Sequence, residues 1–176
     1  MSRFFPHTDY AEDQPMSHTI LTTHVLYRGF QTGAIVGQSL KLARSLFTKS
    51  AIPHNETILA STLRSTGIGA LTGTALMVPA VYMRMYGREE IEWKDRSWRL
   101  LESDSQKAVD DFSGIGTLVG ALFGTRQIVP HQSTRTKVFK VAGGAGVGSI
   151  AGVVLYLGWW YGLKGGERSA SERSVV

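Results

Sequence analysis

The stretch VAGGAGVGSIAGVVLYLGWWYGL, residues 141–163, contains 23 residues and no charged side chain. An apolar run of about 18 or more residues is long enough to cross the hydrocarbon core of a bilayer as one helix. The stretch also contains Gly144, Gly148 and Gly152 at intervals of four, which places them on one face of that helix. It therefore predicts a membrane-spanning helix with one face free of side chains.

The same glycine spacing recurs in three other apolar segments. GIGALTG (67–73), GIGTLVG (114–120) and GVGSIAG (146–152) share the pattern G-x-G-x-x-x-G, and RGFQTGAIVG (28–37) matches their last two glycines. In lipid, such faces allow helix backbones to approach closely and to pack by van der Waals contact. The glycines expected to pack helices together are Gly29, Gly33, Gly37, Gly69, Gly73, Gly116, Gly120, Gly124, Gly144, Gly148 and Gly152.

A G-x-G pattern can also wrap the pyrophosphate of a dinucleotide, but that turn must follow a β-strand and open a helix. Here Gly67 follows the polar and aliphatic residues TILASTLRST, and the last copy lies inside the uncharged run. No G-K-[ST] phosphate-binding sequence occurs anywhere in the chain. We therefore interpret the glycines as membrane-helix glycines and expect no nucleotide cofactor.

The composition disfavours several other classes of function. The net charge is +5, but the sequence has no dense run of Lys and Arg, so nucleic acid is not an expected partner. The absence of Cys excludes disulfides, Cys-ligated zinc and thiolate-held iron–sulfur clusters. Neither HExxH nor G-x-S-x-G occurs, and no pair of acids lies within a predicted span. We expect no catalytic residue, metal, cofactor or small-molecule substrate.

These observations predict an all-α membrane protein, a four-helix transmembrane bundle packed through G-x-x-x-G faces, with an amphipathic connector helix. The predicted spans are approximately 18–40, 57–83, 112–129 and 138–163, and the connector helix covers 88–108. A polar N-terminal tail, 1–17, precedes the membrane domain, 18–163, and a mobile C-terminal tail, 164–176, follows it. An alternative keeps only the second and fourth segments as spans and places the others at the interface or in protein contact.

Three charged residues lie within or beside the predicted spans, namely Arg28, Arg64 and Asp111, each five residues before a packing glycine. A charge at the bilayer centre costs about 3 kcal/mol on insertion scales, so it is usually paired, near water or extended towards the headgroups. Three alternatives follow from this cost. The arginines extend to the headgroups, one of them pairs with Asp111, or they contact a partner subunit or a lipid phosphate.

Aromatic and ionic patterns mark two further elements. Trp159, Trp160 and Tyr161 at the end of the last span are typical of an anchor at the membrane interface. In the connector, EEIEWKDRSWRLLE (89–102) places acids four residues before bases, which supports an exposed helix. The three pairs expected there are Glu90–Lys94, Glu92–Arg96 and Asp95–Arg99.

The basic residues also predict an orientation. Residues 126–140 carry four basic side chains and no acid, and residues 38–56 carry three basic side chains and one acid. Connectors rich in Lys and Arg tend to stay on the side of synthesis or on the matrix-like side of a membrane. We therefore expect both of these connectors on that side and both termini on the other.

Long stretches of the chain resemble fungal accessory subunits of mitochondrial respiratory complex I of the NUXM type. The resemblance covers nearly the whole chain and contains no catalytic motif. The glycine-lined helices are more loosely similar to those of the Tim translocase family. The stretches that carry the resemblance are MSRFFPHTDYAEDQP, HVLYRGFQTGA and STLRSTGIGALTGTALMVPAVYMRMYGREEIEWKDRSWRLLE.

The resemblance implies a non-catalytic subunit at the periphery of the NADH:ubiquinone oxidoreductase in the mitochondrial inner membrane. In that membrane, the orientation predicted from the basic connectors places both termini in the intermembrane space. Its expected partners are core and accessory membrane subunits of complex I and phospholipids, whereas the cofactors belong to other subunits. The first 15 residues contain three acids and lack the pattern of a transit peptide, so we expect import by internal signals.

One alternative is a Tim-type protein translocase component, for which Arg28, Arg64, Thr66 and Thr72 could line a polar groove. A membrane enzyme or electron carrier is disfavoured because the sequence lacks suitable ligands.

Overall fold

The computed structural model describes residues 4–47 and 57–163, and this part of the chain is all-helical, with no β-strand. A 3-10 turn, Ala11–Asp13, precedes the first helix, and a π-helical segment, Gly158–Leu163, continues the last one. The five α-helices are α1 (Ser17–Phe47), α2 (Ile58–Met85), α3 (Glu90–Glu102), α4 (Asp104–Arg126) and α5 (Thr134–Leu157). The prediction of an all-α fold is confirmed for the described residues.

Short polar residues fix where three of the helices begin. The hydroxyls of Thr57, Ser103 and Ser133 accept hydrogen bonds from backbone N–H groups in the first turns of α2, α4 and α5. Such N-caps satisfy amide groups that have no partner within the helix. Between α2 and α3 the chain turns at Gly87, whose φ of 69° is a left-handed conformation that favours glycine.

The four long helices form a row in the order α1, α2, α5, α4. α1 packs along α2, α5 packs along α4, and α2 packs against α5 in the middle of the row. Side chains of α1 also reach α4, because Tyr27 and Arg28 hydrogen-bond to residues of α4. The row is therefore curved, and polar side chains bridge its two end helices.

The distribution of side chains in this row is the reverse of that in a water-soluble bundle. In α4, Leu118, Val119 and Leu122 are 62–69% exposed, whereas Ser113 and Gly120 are buried. A helix at a soluble protein's surface turns its apolar stripe inward and its polar face outward. The polar or charged side chains buried among the described residues are Gln14, Ser17, Gln31, Thr66, Ser97, Asp110, Ser113, Lys140 and Ser149.

Two of the helical segments, Ile58–Met85 and Thr134–Gly162, are long and apolar enough to cross a membrane. α2 continues through Pro79, which lies on the exposed side of the helix, and ends at Met85. Proline in a membrane helix is tolerated where neighbouring groups satisfy the freed carbonyl. The described part of the chain thus contains two candidate spans by length and hydropathy.

Several predicted boundaries differ from the structure. α1 extends seven residues past position 40, to Phe47, and α4 begins at Asp104 and ends at Arg126 where 112–129 was expected. The connector helix predicted over 88–108 is wrong in its extent, because Ser103 adopts an extended backbone conformation and caps a new helix. That break makes the connector a 13-residue helix, α3, followed by the first turn of α4.

Residues 4–16 fold over α3 and do not form a separate tail in the structure. The indole of Trp98 donates a hydrogen bond to the Thr8 carbonyl (2.8 Å), and Lys94 donates to the Glu12 carbonyl (2.8 Å). The buried Gln14 side chain donates to the carbonyl of Pro6 (2.8 Å). We call residues 4–16 and α3 together the N-terminal cap. The predicted mobile tail, 164–176, lies outside the described residues.

The ion pairs of α3 agree only in part with the expected ones. Asp95 and Arg99 pair at 3.0 Å, as predicted. Lys94 instead bonds to a backbone carbonyl in the N-terminal segment. Arg96 lies against the Met85 sulfur, so Glu92 pairs with Arg88 at 3.2 Å.

Candidate functional site

Glycines line the contact between α1 and α2. A Cβ atom placed on Gly33 would collide with the Gly69 carbonyl oxygen, and one on Gly73 would collide with the Gly29 carbonyl oxygen. These clashes are with backbone atoms, which cannot move aside as a flexible side chain can. The two helices therefore approach at a distance that only glycine permits at these positions.

A second glycine contact joins α4 and α5. A Cβ atom on Gly116 or Gly120 would collide with the carbonyl oxygen of Gly148 or Gly144, respectively. One turn further along α4, a Cβ on Gly124 would meet the Lys140 carbonyl. In both contacts the two helices are antiparallel, and the contacting glycines are those that recur every four residues in the sequence.

The middle contact, between α2 and α5, involves glycines that are not among the predicted packing glycines. A Cβ on Gly67 would strike the Phe139 carbonyl, and one on Gly143 would strike the Leu63 carbonyl. Gly146 similarly faces Ala34 and Thr66, each with a side-chain atom 2.9 Å from the Cβ position. The sequence did not single them out because they are out of register with the glycines that recur every four residues.

The first glycine of G-x-G-x-x-x-G explains the contact between α2 and α5. Residues two apart in a helix are separated by about 200° of rotation at 3.6 residues per turn. Gly67 therefore faces α5 while Gly69 faces α1, and Gly146 faces the interior while Gly148 faces α4. Gly114 holds the same place in α4 but has open space around it, because α4 is an end helix and has only one glycine-lined neighbour.

A buried ion pair joins the two end helices. Arg28 donates to the Asp110 carboxylate at 2.8 Å, and the Asp110 side chain is only 2% exposed. His24 Nδ1 lies 3.7 Å from the second carboxylate oxygen of Asp110. Arg28 also donates to the side-chain oxygens of Gln31 and Gln106, each at 2.8 Å. The charge of Asp110 is thus neutralised inside the bundle.

Neutral polar side chains extend this cluster to α5. Gln31 donates to the Ser149 hydroxyl at 3.0 Å, and the Tyr27 hydroxyl lies 2.9 Å from that of Thr117. Tyr27 also donates to Ser113 at 3.2 Å. Every buried side-chain nitrogen and oxygen of residues 4–47 and 57–163 has a hydrogen-bond partner. We call the residues around Arg28 and Asp110 on α1, α4 and α5 the interior polar cluster.

Of the three alternatives for the charged residues, ion pairing holds for Arg28, but its partner is not Asp111. The carboxylate that meets Arg28 belongs to Asp110, because Gln106, Asp110 and Ser113 share the face of α4 that points to α1. Asp111 is about 100° further round the helix and partly exposed. Arg64 is exposed on the outer side of α2.

Arg64 lines a groove of about 950 Å³ that runs between α1 and α2 on their outer side. We call it the α1–α2 groove. Glycines of the α1–α2 contact also line it, together with two further cations. Thr72, suggested above as a groove residue, lies here, whereas Thr66 is fully buried and Arg28 belongs to the interior polar cluster. Other residues that line the groove are Val36, Leu40, Lys41, Arg44, Ile68 and Leu76.

The aromatic residues at the end of α5 gather around α4. Trp159 stacks with Phe112 at 6.3 Å between ring centroids, and Trp160 stacks with Tyr156 at 6.1 Å. Tyr161 points outward and is 68% exposed. Of the predicted interfacial anchor residues, Trp159 and Trp160 thus belong to an aromatic cluster at one end of the bundle, and Tyr161 does not.

The N-terminal cap carries its own polar contacts. His18 stacks on Trp93 with centroids 4.0 Å apart and lies 2.7 Å from the Glu90 carboxylate. Its hydrogen bond lowers the pKa of Glu90 below the ordinary value, and the hydrogen bond from Ser17 acts in the same direction. A second histidine, His7, lies 3.2 Å from a glutamate of α3 and against Trp98. His7 thus holds the segment before α1 to α3, and His18 holds the first turn of α1 to the same helix.

No group of three or more His, Cys, Asp or Glu side chains that could hold a metal ion occurs in the described ranges.

Comparison with known proteins places the chain in a family. No curated protein and no solved structure matches it. Residues 5–155 match a family model described as a protein of unknown function (DUF1757). The match includes all of α1–α4 and nearly all of α5. Because it spans most of the sequence, the chain belongs to the DUF1757 family.

Proposed function

We propose that this protein is a non-catalytic accessory subunit of mitochondrial NADH:ubiquinone oxidoreductase, where it stabilises the membrane arm and supports its assembly. The observation that carries the proposal is a juxtaposition. The stretch MSRFFPHTDYAEDQP and the stretch REEIEWKDRSWRLLE both resemble complex I accessory subunits of the NUXM type, and their described residues pack together as the N-terminal cap. The two stretches that carry the resemblance therefore belong to one structural unit.

The proposal places four transmembrane helices, α1, α2, α4 and α5, in the inner membrane, packed through their G-x-x-x-G faces. The reversed distribution of side chains supports this, since α1 and α4 expose apolar faces although neither passes the length and hydropathy test. Val36 and Leu40 of α1 are 50% and 63% exposed, and Leu118 of α4 is 69% exposed. In lipid these faces need no further cover.

Arg28 would be costly in a membrane-spanning α1 if it had no partner, and the interior polar cluster supplies its partners. Asp110 neutralises Arg28, and Gln31, Gln106 and His24 accept further hydrogen bonds from its guanidinium. Ionisable residues within membrane helices usually face the bundle interior and pair with one another in this way. Such a cluster adds stability to a four-helix bundle and would be out of place on a helix that lies at the interface.

Charge at the two ends of the bundle supports the proposed orientation. The end that holds the C-termini of α1 and α4 carries Lys41, Arg44, Arg126 and Arg135. The opposite end holds the N-terminal cap, whose described residues are rich in acids. We place the basic end in the matrix and both termini in the intermembrane space. Phospholipids and the membrane subunits of complex I are then the partners of the exposed apolar faces.

The identity of the complex can be tested by purification. An affinity-tagged full chain, extracted in a mild detergent, should copurify with complex I subunits at a near-stoichiometric ratio by quantitative mass spectrometry. Recovery with translocase subunits and without complex I would refute the proposal.

One observation favours a second candidate, a Tim-type translocase component. The α1–α2 groove is open and contains Arg64 and Thr72, two of the residues expected to line a polypeptide path. Most of its other lining residues are apolar side chains and glycines. A hydrated polypeptide would gain little from such a lining, so we rank this candidate second. The same purification separates the two candidates.

A further inference from the structure

The polar side chains in the middle of α1 have partners that lie far along the chain. The Tyr27 hydroxyl is 2.9 Å from that of Thr117 on α4, and the Gln31 amide donates to the Ser149 hydroxyl on α5 at 3.0 Å. These partners follow α1 by 90 and 118 residues, respectively. The polar face of α1 is therefore satisfied by helices that come later in the sequence.

Arg28 has acceptors on two helices, but its anionic partner lies on α4. His24 and Gln31, on α1 itself, accept from its guanidinium at 3.4 and 2.8 Å. Gln106 and Asp110, on α4, each accept at 2.8 Å. Of these four acceptors, only Asp110 is an anion. A neutral acceptor satisfies an N–H group and leaves the positive charge in place, so α1 without α4 carries an uncompensated cation.

The helix that packs along α1 does not supply this anion. Of the four long helices, only α4 contains acidic residues. α2 meets α1 through glycines such as Gly33 and Gly69, a contact that offers no charge. α2 and the segment that includes α5 also pass the length and hydropathy test for a span, and α1 does not. α2 thus gives α1 a packing face but leaves its arginine unpaired.

The chemistry of the two charges decides which helix can enter lipid first. An aspartic acid can enter an apolar environment as a neutral group by binding a proton, whereas an arginine keeps its charge. α4 can therefore enter the membrane before α1 and pack on α5 through Gly116 and Gly120. α1 cannot do the same at equal cost, because Arg28 has no neutral form at physiological pH.

We propose that α1, the first helix of the chain, is the last to cross the membrane, and that Asp110 on α4 admits it. α2 and α5 enter by their own hydropathy, α4 packs on α5, and α1 crosses when Arg28 meets Asp110. This inference rests on the membrane placement in the proposed function. It adds an order of assembly and names the residue that sets it.

The crossing of α1 also determines when the N-terminal cap forms. Trp98 of α3 donates to the Thr8 carbonyl at 2.8 Å, and the Ser17 hydroxyl donates to Glu90 of α3 at 3.0 Å. In the proposed orientation α3 lies on the intermembrane-space side, and residues 4–16 reach that side only if α1 crosses. The cap is therefore a surface of the completed bundle. A partner subunit that binds it recognises a chain whose four spans are in place.

Cysteine labelling of the full chain in mitoplasts tests the role of Asp110. The chain has no cysteine of its own, and Asp9→Cys places one at an exposed position of the N-terminal segment. In this chain an impermeant maleimide should react from the intermembrane-space side. Addition of D110N leaves Arg28 without its anion, and labelling from that side should fall about ten-fold or more relative to labelling after detergent. Unchanged labelling would overturn the proposal.

Two further variants separate a stranded charge from general damage to α4. R28Q/D110N removes both charges, so α1 no longer needs an anion and labelling from the intermembrane-space side should return. Asp104→Asn removes a carboxylate from the same helix, but its cationic partner, Lys107, lies on α4 as well (2.7 Å). Labelling should stay normal in this control. A double variant that labels no better than D110N, or an equal loss in D104N, would contradict the assignment.

A time course of import into isolated mitochondria tests the order itself. Glu89→Cys reports the connector between α2 and α3, and Asp9→Cys reports the segment before α1; both positions are exposed. Position 89 should become reactive from the intermembrane-space side before position 9 does. Simultaneous reaction, or reaction of position 9 first, would overturn the proposal, because α1 would then not be the last helix to cross.

Failure of the order can be distinguished from failure of the proposed function. Positions 9 and 131 of otherwise unsubstituted chains must react from opposite sides, and reaction from one side would overturn the membrane placement and this inference together. Opposite sides with no effect of D110N would overturn the inference alone. Copurification with complex I, measured on the same membranes, should fall in D110N and return in R28Q/D110N. Absence of complex I from the unsubstituted sample would count against the proposed function.

Discussion

At the scale of single residues, the interior polar cluster decides whether α1 belongs inside the bundle. The Asp110 carboxylate is nearly fully buried, and Arg28 is its charged partner at 2.8 Å. Removal of one member of a buried pair leaves an uncompensated charge, which is more harmful than removal of both. The position of this pair could not be predicted from spacing alone, since Asp110 and Asp111 are adjacent in sequence and only the packing of α4 on α1 selects one of them.

Arg28→Gln should therefore lower the free energy of unfolding by about 3 kcal/mol, near the low end of the range for buried pairs because Arg28 is 30% exposed. The double variant R28Q/D110N should lose less than the sum of the single variants. Denaturant titration of the purified chain in detergent measures both effects. Asp111→Asn is the control, and a loss as large as that of D110N would contradict the assignment.

The His18–Glu90 contact predicts a response of the N-terminal cap to acid. The pKa of Glu90 is lowered in the folded chain, so the contact stabilises the cap above the ordinary glutamate pKa. This contribution is lost as the pH falls through the lowered value of Glu90. Limited proteolysis of residues 4–16 should accelerate in that acid range, and E90Q should show the faster rate already at pH 7. A pH-independent rate in the unsubstituted chain would refute the prediction.

At the scale of helices, the glycine pattern explains which helix contacts which. The central helices, α2 and α5, each have glycines on two faces, and the end helices need only one such face. The glycine intervals of four residues are visible in the sequence, and the existence of the long helices could be predicted from it. The order of the row could not, because the spacing does not say which glycine faces pair, and Gly67, Gly143 and Gly146 were consequently missed.

Gly120→Leu and Gly148→Leu should separate α4 from α5, because a Cβ at either position would collide with a backbone carbonyl oxygen of the other helix. Overpacking typically costs about 1–3 kcal/mol, and a backbone clash belongs at the upper end of that range. Gly114→Leu is the matched control in the same helix, since nothing lies within 4 Å of its Cβ position. Steady-state levels in the membrane should fall for the first two and stay normal for the control. Equal levels in all three would contradict the packing account.

At the scale of the whole molecule, the structure combines an apolar exterior, a polar interior and opposite charge at its two ends. These features predict that α1 and α4 cross the membrane together with α2 and α5. The cysteine-free sequence suits single-cysteine labelling at the exposed positions Glu89 and His131, which flank α4 along the chain. Four spans require the two positions to react from opposite sides, with His131 on the matrix side. Reaction from the same side would mean that α4 does not cross and would favour two spans.

We propose that the protein stabilises complex I and performs no chemistry itself. Its most direct test is deletion of the chain, followed by native gels of the membranes and by NADH:acceptor and NADH:quinone rates normalised to assembled complex. We expect less assembled complex, with both normalised rates close to those of the undeleted control. Fully assembled complex that lacks the chain and has lost quinone reduction would contradict it, because the subunit would then take part in the reaction.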